Sequence, residues 1–126
     1  MRLPADPSNV GVARQVVAES AKALGMDDAR LADLKLAISE ACTNAVTHAY
    51  GDGAGHHFRL SVEVDDRLLH VHVTDDGYGI DHPRLNGGLG LGLTIAERVS
   101  QQFETSPGDT LDPEMPGTTV SMTFPL

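Results

Sequence analysis

The sequence predicts an α+β fold: a two-layer sandwich with helices packed on one face of a mixed, mostly antiparallel sheet. Three observations predict it. Apolar residues recur at helical spacing through the first third of the chain, then alternate with polar ones from Phe58 to Thr74. Helical spacing returns from about Leu91, and alternation resumes from Thr118 to Phe124. Helices, a hairpin, a helix and a second hairpin in that order are a layer of helices over a sheet of local pairings.

Each element has its own signals. "MRLPA" fits a short edge strand stopped by Pro4 and Pro7. Ser8 or Asn9 suits the N-cap of a first helix, with Val10, Ala13, Val16, Val17, Ala21 and Leu24 as its stripe and Gly25 as its end. Asp27 and Asp28 open a second helix, where negative charge meets the positive end of the helix dipole. At about 3.6 residues per turn, Leu31, Leu34, Ile38, Cys42, Ala45 and Ala49 share its apolar face. It is expected to run to about Tyr50, before "GDGAG".

Phe58, Leu60, Val62 and Val64 then alternate with Arg59, Ser61 and Glu63. After "DDR", Leu69, Val71 and Val73 alternate with His70, His72 and Thr74, which makes a hairpin with one dry and one wet face. "DDGYGI" ends it and "DHPRLNGG" is a loop. A helix through Leu93, Ile95, Ala96 and Val99 is expected to reach Gln102. "FETS" reads as a strand, "PGDTLDPEMPG" as a loop, and the closing strand carries Val120, Met122 and Phe124.

At 126 residues the chain is the size of one domain, 1–126, with a single core. Its net charge of -9 opposes a nucleic-acid backbone, which rewards clustered Lys and Arg. A small phosphate remains possible, since backbone N–H groups can hold it. One cysteine, Cys42, makes no internal disulfide and falls on the apolar face of its helix. No apolar run approaches the ~20 residues that cross a bilayer, and "MRLPADPSN" contains no signal-peptide core. A cytoplasmic protein without a membrane segment is the expectation.

Three stretches carry possible chemistry. Glu40 and Asn44 lie one turn apart on the polar side of the second helix with Thr43 and Thr47. They are either an ordinary solvated back or a reacting group beside a metal ligand, and the helix alone does not decide. Asp75, Gly77 and Gly79 follow a strand; a carboxylate there can accept the exocyclic amine of adenine, whereas guanine presents a carbonyl. "GGLGLGL", Gly87 to Leu93, opens a helix and suits phosphate binding or a flexible turn equally well. It is neither a Walker loop nor a dinucleotide fingerprint. His70 and His72 share a strand face but diverge, without an apparent third metal ligand, and His56 and His57 lie in a loop.

Taken in order, these stretches resemble a known family. "LKLAISEACTNAVTHAY" is similar to the N box of the bacterial anti-sigma-factor serine/threonine kinases, a branch of the GHKL (histidine-kinase-like) ATPase superfamily. "VTDDGYGI" and "GGLGLGLTIAERVS" resemble its two glycine boxes, "MRLPADPSNVGVAR" its start and "GTTVSMTF" its closing strand. The resemblance covers nearly the whole chain and implies the histidine-kinase-like ATPase, or Bergerat, fold.

It also implies an activity. The chain would be an ATP-dependent protein serine/threonine kinase and anti-sigma factor, phosphorylating a STAS-type anti-anti-sigma protein and sequestering a sigma factor. Glu40 would be the general base, and Asn44 would hold Mg²⁺ on the ATP phosphates. Asp75 would take the adenine amine, with Gly77 and Gly79 allowing close approach and Thr118 or Thr119 helping to hold the base. Gly88, Leu89, Gly90, Leu91 and Gly92 would wrap the phosphates. Only eight residues, Ile80 to Gly87, stand where relatives often carry a longer ATP lid, and Arg84 is the cation available there for the γ-phosphate. A homodimer is the expected assembly. The competing expectation is a non-catalytic, ATP-binding partner-switching module. A histidine-kinase ATP domain would need a preceding phospho-acceptor helix pair for which this chain has no room.

Overall fold

The computed structural model describes residues 1–47, 56–77, 93–108 and 117–126. The elements are β1 (Arg2–Pro4), α1 (Ser8–Ala23), α2 (Asp28–Thr47), β2 (His57–Asp65), β3 (Leu68–Asp75), α3 (Thr94–Val99), β4 (Gln102–Pro107) and β5 (Thr118–Pro125). The strands form a five-stranded sheet in the order β1-β2-β3-β5-β4. All four pairings are antiparallel, so the mixed character expected of the sheet is not found among the described strands. The reason is topological. β3 and β4 are joined through α3 and run the same way, but β5 returns between them, so they never pair.

The β2–β3 hairpin turns through Asp66 and Arg67 at φ 50 and 64, the left-handed pair of a type I′ turn. Its register places Phe58 opposite Asp75, Leu60 opposite Val73, Val62 opposite Val71 and Val64 opposite Leu69. β5 continues the same rows: Phe124 pairs with Leu69, Met122 with Val71, Val120 with Val73 and Thr118 with Asp75. Side chains alternate across a strand, so these rows share one sheet face. The helices cover most of it, and their buried residues join Phe58, Leu69, Val71, Val73, Met122 and Phe124 in one core. Val62 and Val64, expected on the dry face, are exposed at the far end of β2.

The opposite sheet face is polar. Its His70 and His72 rings bond through Nδ1 to Thr123 Oγ1 at 3.1 Å and Ser121 Oγ at 2.9 Å, and Thr74 Oγ1 lies 3.0 Å from Thr119 Oγ1. Each pair joins cross-strand neighbours of β3 and β5.

The helix ends show how local sequence sets the frame. Pro7, rather than Ser8 or Asn9, stands at the N-cap of α1. The cap is supplied from one residue earlier, by the Asp6 carboxylate, which accepts the Ser8 N–H at 2.9 Å. At the other end Gly25, φ 100, closes α1 as expected. Its N–H reaches Lys22 O and that of Met26 reaches Ala21 O, the paired bonds of a Schellman motif. Asp27 caps α2 by accepting the Arg30 N–H at 2.8 Å.

Three expected stripe residues lie outside the core. Val16 (45% exposed), Leu24 (48%) and Ile95 (44%) face solvent, whereas Ala18, Ala37 and Ala41 are buried. Small residues let α1 and α2 approach closely, so the true contact line follows alanines that a search for bulky residues undervalues. α3 ends at Val99 rather than Gln102, because Ser100 is already extended and Gln102 pairs with Thr123 in the sheet. Ala49 and Tyr50 lie outside the described residues. Ile38→Ala should lower stability by about 2–5 kcal/mol in urea denaturation. Val16→Ala should stay within about 0.5 kcal/mol of the parent, as a surface change does.

Candidate functional site

Asp75 is the last residue of β3 and in phase with Leu69, Val71 and Val73. The alternation that buries those three therefore carries a carboxylate to the same dry face, where it is 4% exposed. Phe58 and Thr118 flank it on the neighbouring strands. Its Oδ1 accepts the Gly77 N–H at 2.9 Å. Burial pushes its pKa up from 3.8 to about 7, with a further rise from neighbouring Asp76, against N–H donation from Gly77 and Thr118, which lowers it.

The residue before Thr118 completes this corner. The Gly117 N–H donates to Gly77 O at 2.9 Å, latching the start of β5 to the turn after β3. Gly117 has φ 75, and a Cβ there would strike the Asp75 carbonyl oxygen. Only glycine combines that backbone conformation with so close an approach. No role for Gly117 follows from the sequence motifs; its signal there is a glycine between a loop and a Thr-Thr strand start. Thr118 is 3% exposed beside Asp75, whereas Thr119 points to the outer face towards Thr74. The same alternation therefore separates the two threonines.

α2 lies over β2, β3 and β5. Its polar side is not one solvated back: Thr43 is exposed, Glu40 is half-buried and Asn44 is 4% exposed. The Oδ1 of Asn44 is a buried acceptor without a hydrogen-bond partner among the described residues. A buried, unsatisfied carboxamide oxygen is costly, so its persistence calls for an explanation such as an absent ion. Hard oxygen is also the donor that Mg²⁺ takes. Glu40, one turn away, accepts the Ala96 N–H of α3 through Oε2 at 3.3 Å.

The structure thus gathers Asp75, Gly77 and Thr118 at one sheet end, with Glu40 and Asn44 on the covering helix. Gly79, Arg84, Gly88, Leu89, Gly90, Leu91 and Gly92 lie outside the described residues. The His56 Nδ1 sits 3.2 Å from Asp76 Oδ1, next to Asp75 in sequence. Cys42 is fully buried and its thiol pKa is pushed up to about 12 by burial, as a core residue requires.

Comparison with known proteins places this architecture. The model of the histidine kinase-like ATPase domain matches residues 3–124. The chain belongs to the histidine kinase-like ATPase family, which bears out the resemblance read from its motifs. Within that family it is similar over nearly its full length to serine-protein kinases. RsbW of Bacillus velezensis is 36% identical over 132 residues, covering 98% of this chain and 82% of that protein. RsbW of Bacillus subtilis is 35% identical with the same coverage.

Solved structures agree on the fold. The structure of the RsbU and RsbW domains of a Mycobacterium tuberculosis protein matches with a TM-score of 0.70 at 23% identity, covering 100% of this chain and 32% of that one. The histidine kinase domain of an Erythrobacter litoralis blue-light-activated histidine kinase matches with a TM-score of 0.58 at 30% identity, covering 77% of this chain and 45% of that one. This chain therefore spans less than half the length of either solved chain. Among the described residues no helix is long and apolar enough to cross a membrane.

Asp75 makes stability depend on pH with a defined sign. Its pKa is higher folded than unfolded, so its contribution is fully present below the unfolded value of 3.8 and is lost as pH rises through about 7. Relative to Asp75→Asn, the nucleotide-free parent should lose stability across that window, by at most ~1.4 kcal/mol per pH unit. Parallel urea titrations of the two proteins from pH 4 to 8 measure it, and parallel profiles would contradict it.

Proposed function

We propose that this chain is a single-domain, ATP-dependent protein serine/threonine kinase that acts in the cytoplasm as an anti-sigma factor. Its substrate is the serine or threonine of an anti-anti-sigma protein of STAS type, and its second partner is a sigma factor, which it sequesters as a homodimer. The observation that carries the reading is the buried Oδ1 of Asn44, unpartnered among the described residues, one turn from Glu40 on the helix that covers the sheet face holding Asp75. The near-full-length similarity to proteins named serine-protein kinases supports a protein hydroxyl as the acceptor.

In this reading the ionised Asp75 carboxylate accepts the adenine amine, and Thr118 lies against the same base. Gly77 N–H and Thr118 N–H hold the carboxylate in place before nucleotide arrives. Asn44 would hold Mg²⁺ through Oδ1, and the ion would neutralise charge on the phosphates. The substrate oxygen bonds to the γ-phosphorus as the bond to the ADP oxygen breaks, and Glu40 takes the hydroxyl proton. Phosphoryl transfer asks mainly for positioning and charge neutralisation, so a base and a metal ligand on one rigid turn suffice for much of it.

Glu40→Gln should retain ATP while losing about 10²–10⁴-fold in transfer to the cognate antagonist, because it removes only the base. Asn44→Ala should weaken ATP in Mg²⁺ but not in its absence. Mg-ATP at ~100 times its dissociation constant should stabilise the parent by ~2.7 kcal/mol, with GTP giving far less and Asp75→Asn abolishing the difference. Equal melting shifts with ATP and GTP would remove the adenine assignment; parental transfer by Glu40→Gln would remove Glu40 as the base, and no transfer by the parent would leave a non-catalytic binding module.

A further inference from the structure

α3 begins without a local cap. Leu93 stands at its N-cap position with no side-chain hydrogen bond to the open N–H groups. The first turn of any helix leaves such donors unpaired, and each needs an acceptor from elsewhere or water. Glu97 N–H is met within the turn by Leu93 O at 3.0 Å. Ala96 N–H is met from another helix, by Glu40 Oε2 at 3.3 Å across 56 positions of sequence. Ala96 is fully buried, so water offers this amide little alternative.

Two needs meet in this bond. A general base works only if its carboxylate is held within reach of the proton it takes, and bases are commonly oriented by a third group. Glu40 is half-buried on α2 with a flexible side chain, and among the described residues its carboxylate is held by the bond from Ala96 N–H. We infer that the Ala96 backbone amide is the positioning group for Glu40: it pins Oε2 and leaves Oε1 as the oxygen that receives the proton. The same contact makes Glu40 the cap of α3. The inference rests on Glu40 being the base, and it adds a role for a residue with no reactive side chain. It also separates two substitutions usually treated alike. Gln at position 40 can still accept the Ala96 N–H through its carboxamide oxygen, whereas Ala cannot.

Amide exchange of the full chain, followed by NMR at Ala96, tests the contact. Protection should match the parent in Glu40→Gln and fall roughly tenfold in Glu40→Ala, the size expected of a lost cap. Unchanged protection in Glu40→Ala overturns the inference. Replacing the Ala96 amide by an ester through lactate incorporation removes the donor and keeps the side chain. With Mg-ATP and water as the phosphoryl acceptor, this variant should lose about tenfold in kcat with KM for ATP unchanged. A kcat equal to the parent's overturns the inference and leaves Glu40 as base intact. Undiminished turnover in Glu40→Gln would instead remove the base assignment itself, whatever Ala96 shows. The exchange arm decides the contact even if the ester variant fails to fold.

Discussion

Asp75 occupies the place where β3 would otherwise present one more aliphatic side chain to the helices. The row from Leu69 through Val71 and Val73 is dry, and the register sets Phe58 and Thr118 on either side of the carboxylate. A buried carboxylate resists ionisation unless donors surround it, and here burial outweighs two backbone N–H groups, so the pKa rises to about 7. The turn after β3 and the start of β5 are built around this group. Gly77 turns its N–H back to Oδ1, and Gly117 fits against the Asp75 carbonyl because it lacks a side chain. Closing the sheet and building the corner around Asp75 are therefore the same structural event.

Much of this was legible in the chain. Alternation through Leu69, Val71 and Val73 predicted the hairpin face, and simple continuation of its phase places Asp75 inside. Glycine at Gly25 and acid at Asp27 predicted the junction of α1 and α2, where backbone chemistry is local. Harder to read were features that depend on distant partners. Val16, Leu24 and Ile95 satisfied helical spacing yet face solvent, because the neighbouring element decides which side of a helix is buried. Thr118 and Thr119 were indistinguishable until the β3–β5 register set one beside Asp75 and the other beside Thr74. Gly117 stood out only once its φ and its contact with Asp75 were known.

The polar side of α2 illustrates the same division. Spacing grouped Glu40, Thr43 and Asn44, and each has a different environment. Thr43 is exposed, Asn44 is buried with an oxygen unsatisfied among the described residues, and Glu40 reaches across to α3. A solvated back would have left all three to water. Periodicity locates polar residues on a face, but only the packed structure reveals that Asn44 is buried and Glu40 half-buried there.

Burial gives the site a direction. The carboxylate of Asp75 is destabilised by burial, and the carboxamide oxygen of Asn44 has no partner among the described residues. Both groups need a donor or a cation, and in the proposed reading an adenine amine and a phosphate-bound metal would supply them. An apolar pair at these positions would make a more stable empty fold and a worse binder, the usual exchange between stability and a preorganised site. Binding that satisfies such groups stabilises the folded chain through linkage, so nucleotide occupancy and stability rise together. If Asp75 and Asn44 hold nucleotide as proposed, the two residues that weaken the empty domain are those through which nucleotide would strengthen it, and substitutions there should move stability and affinity in opposite directions.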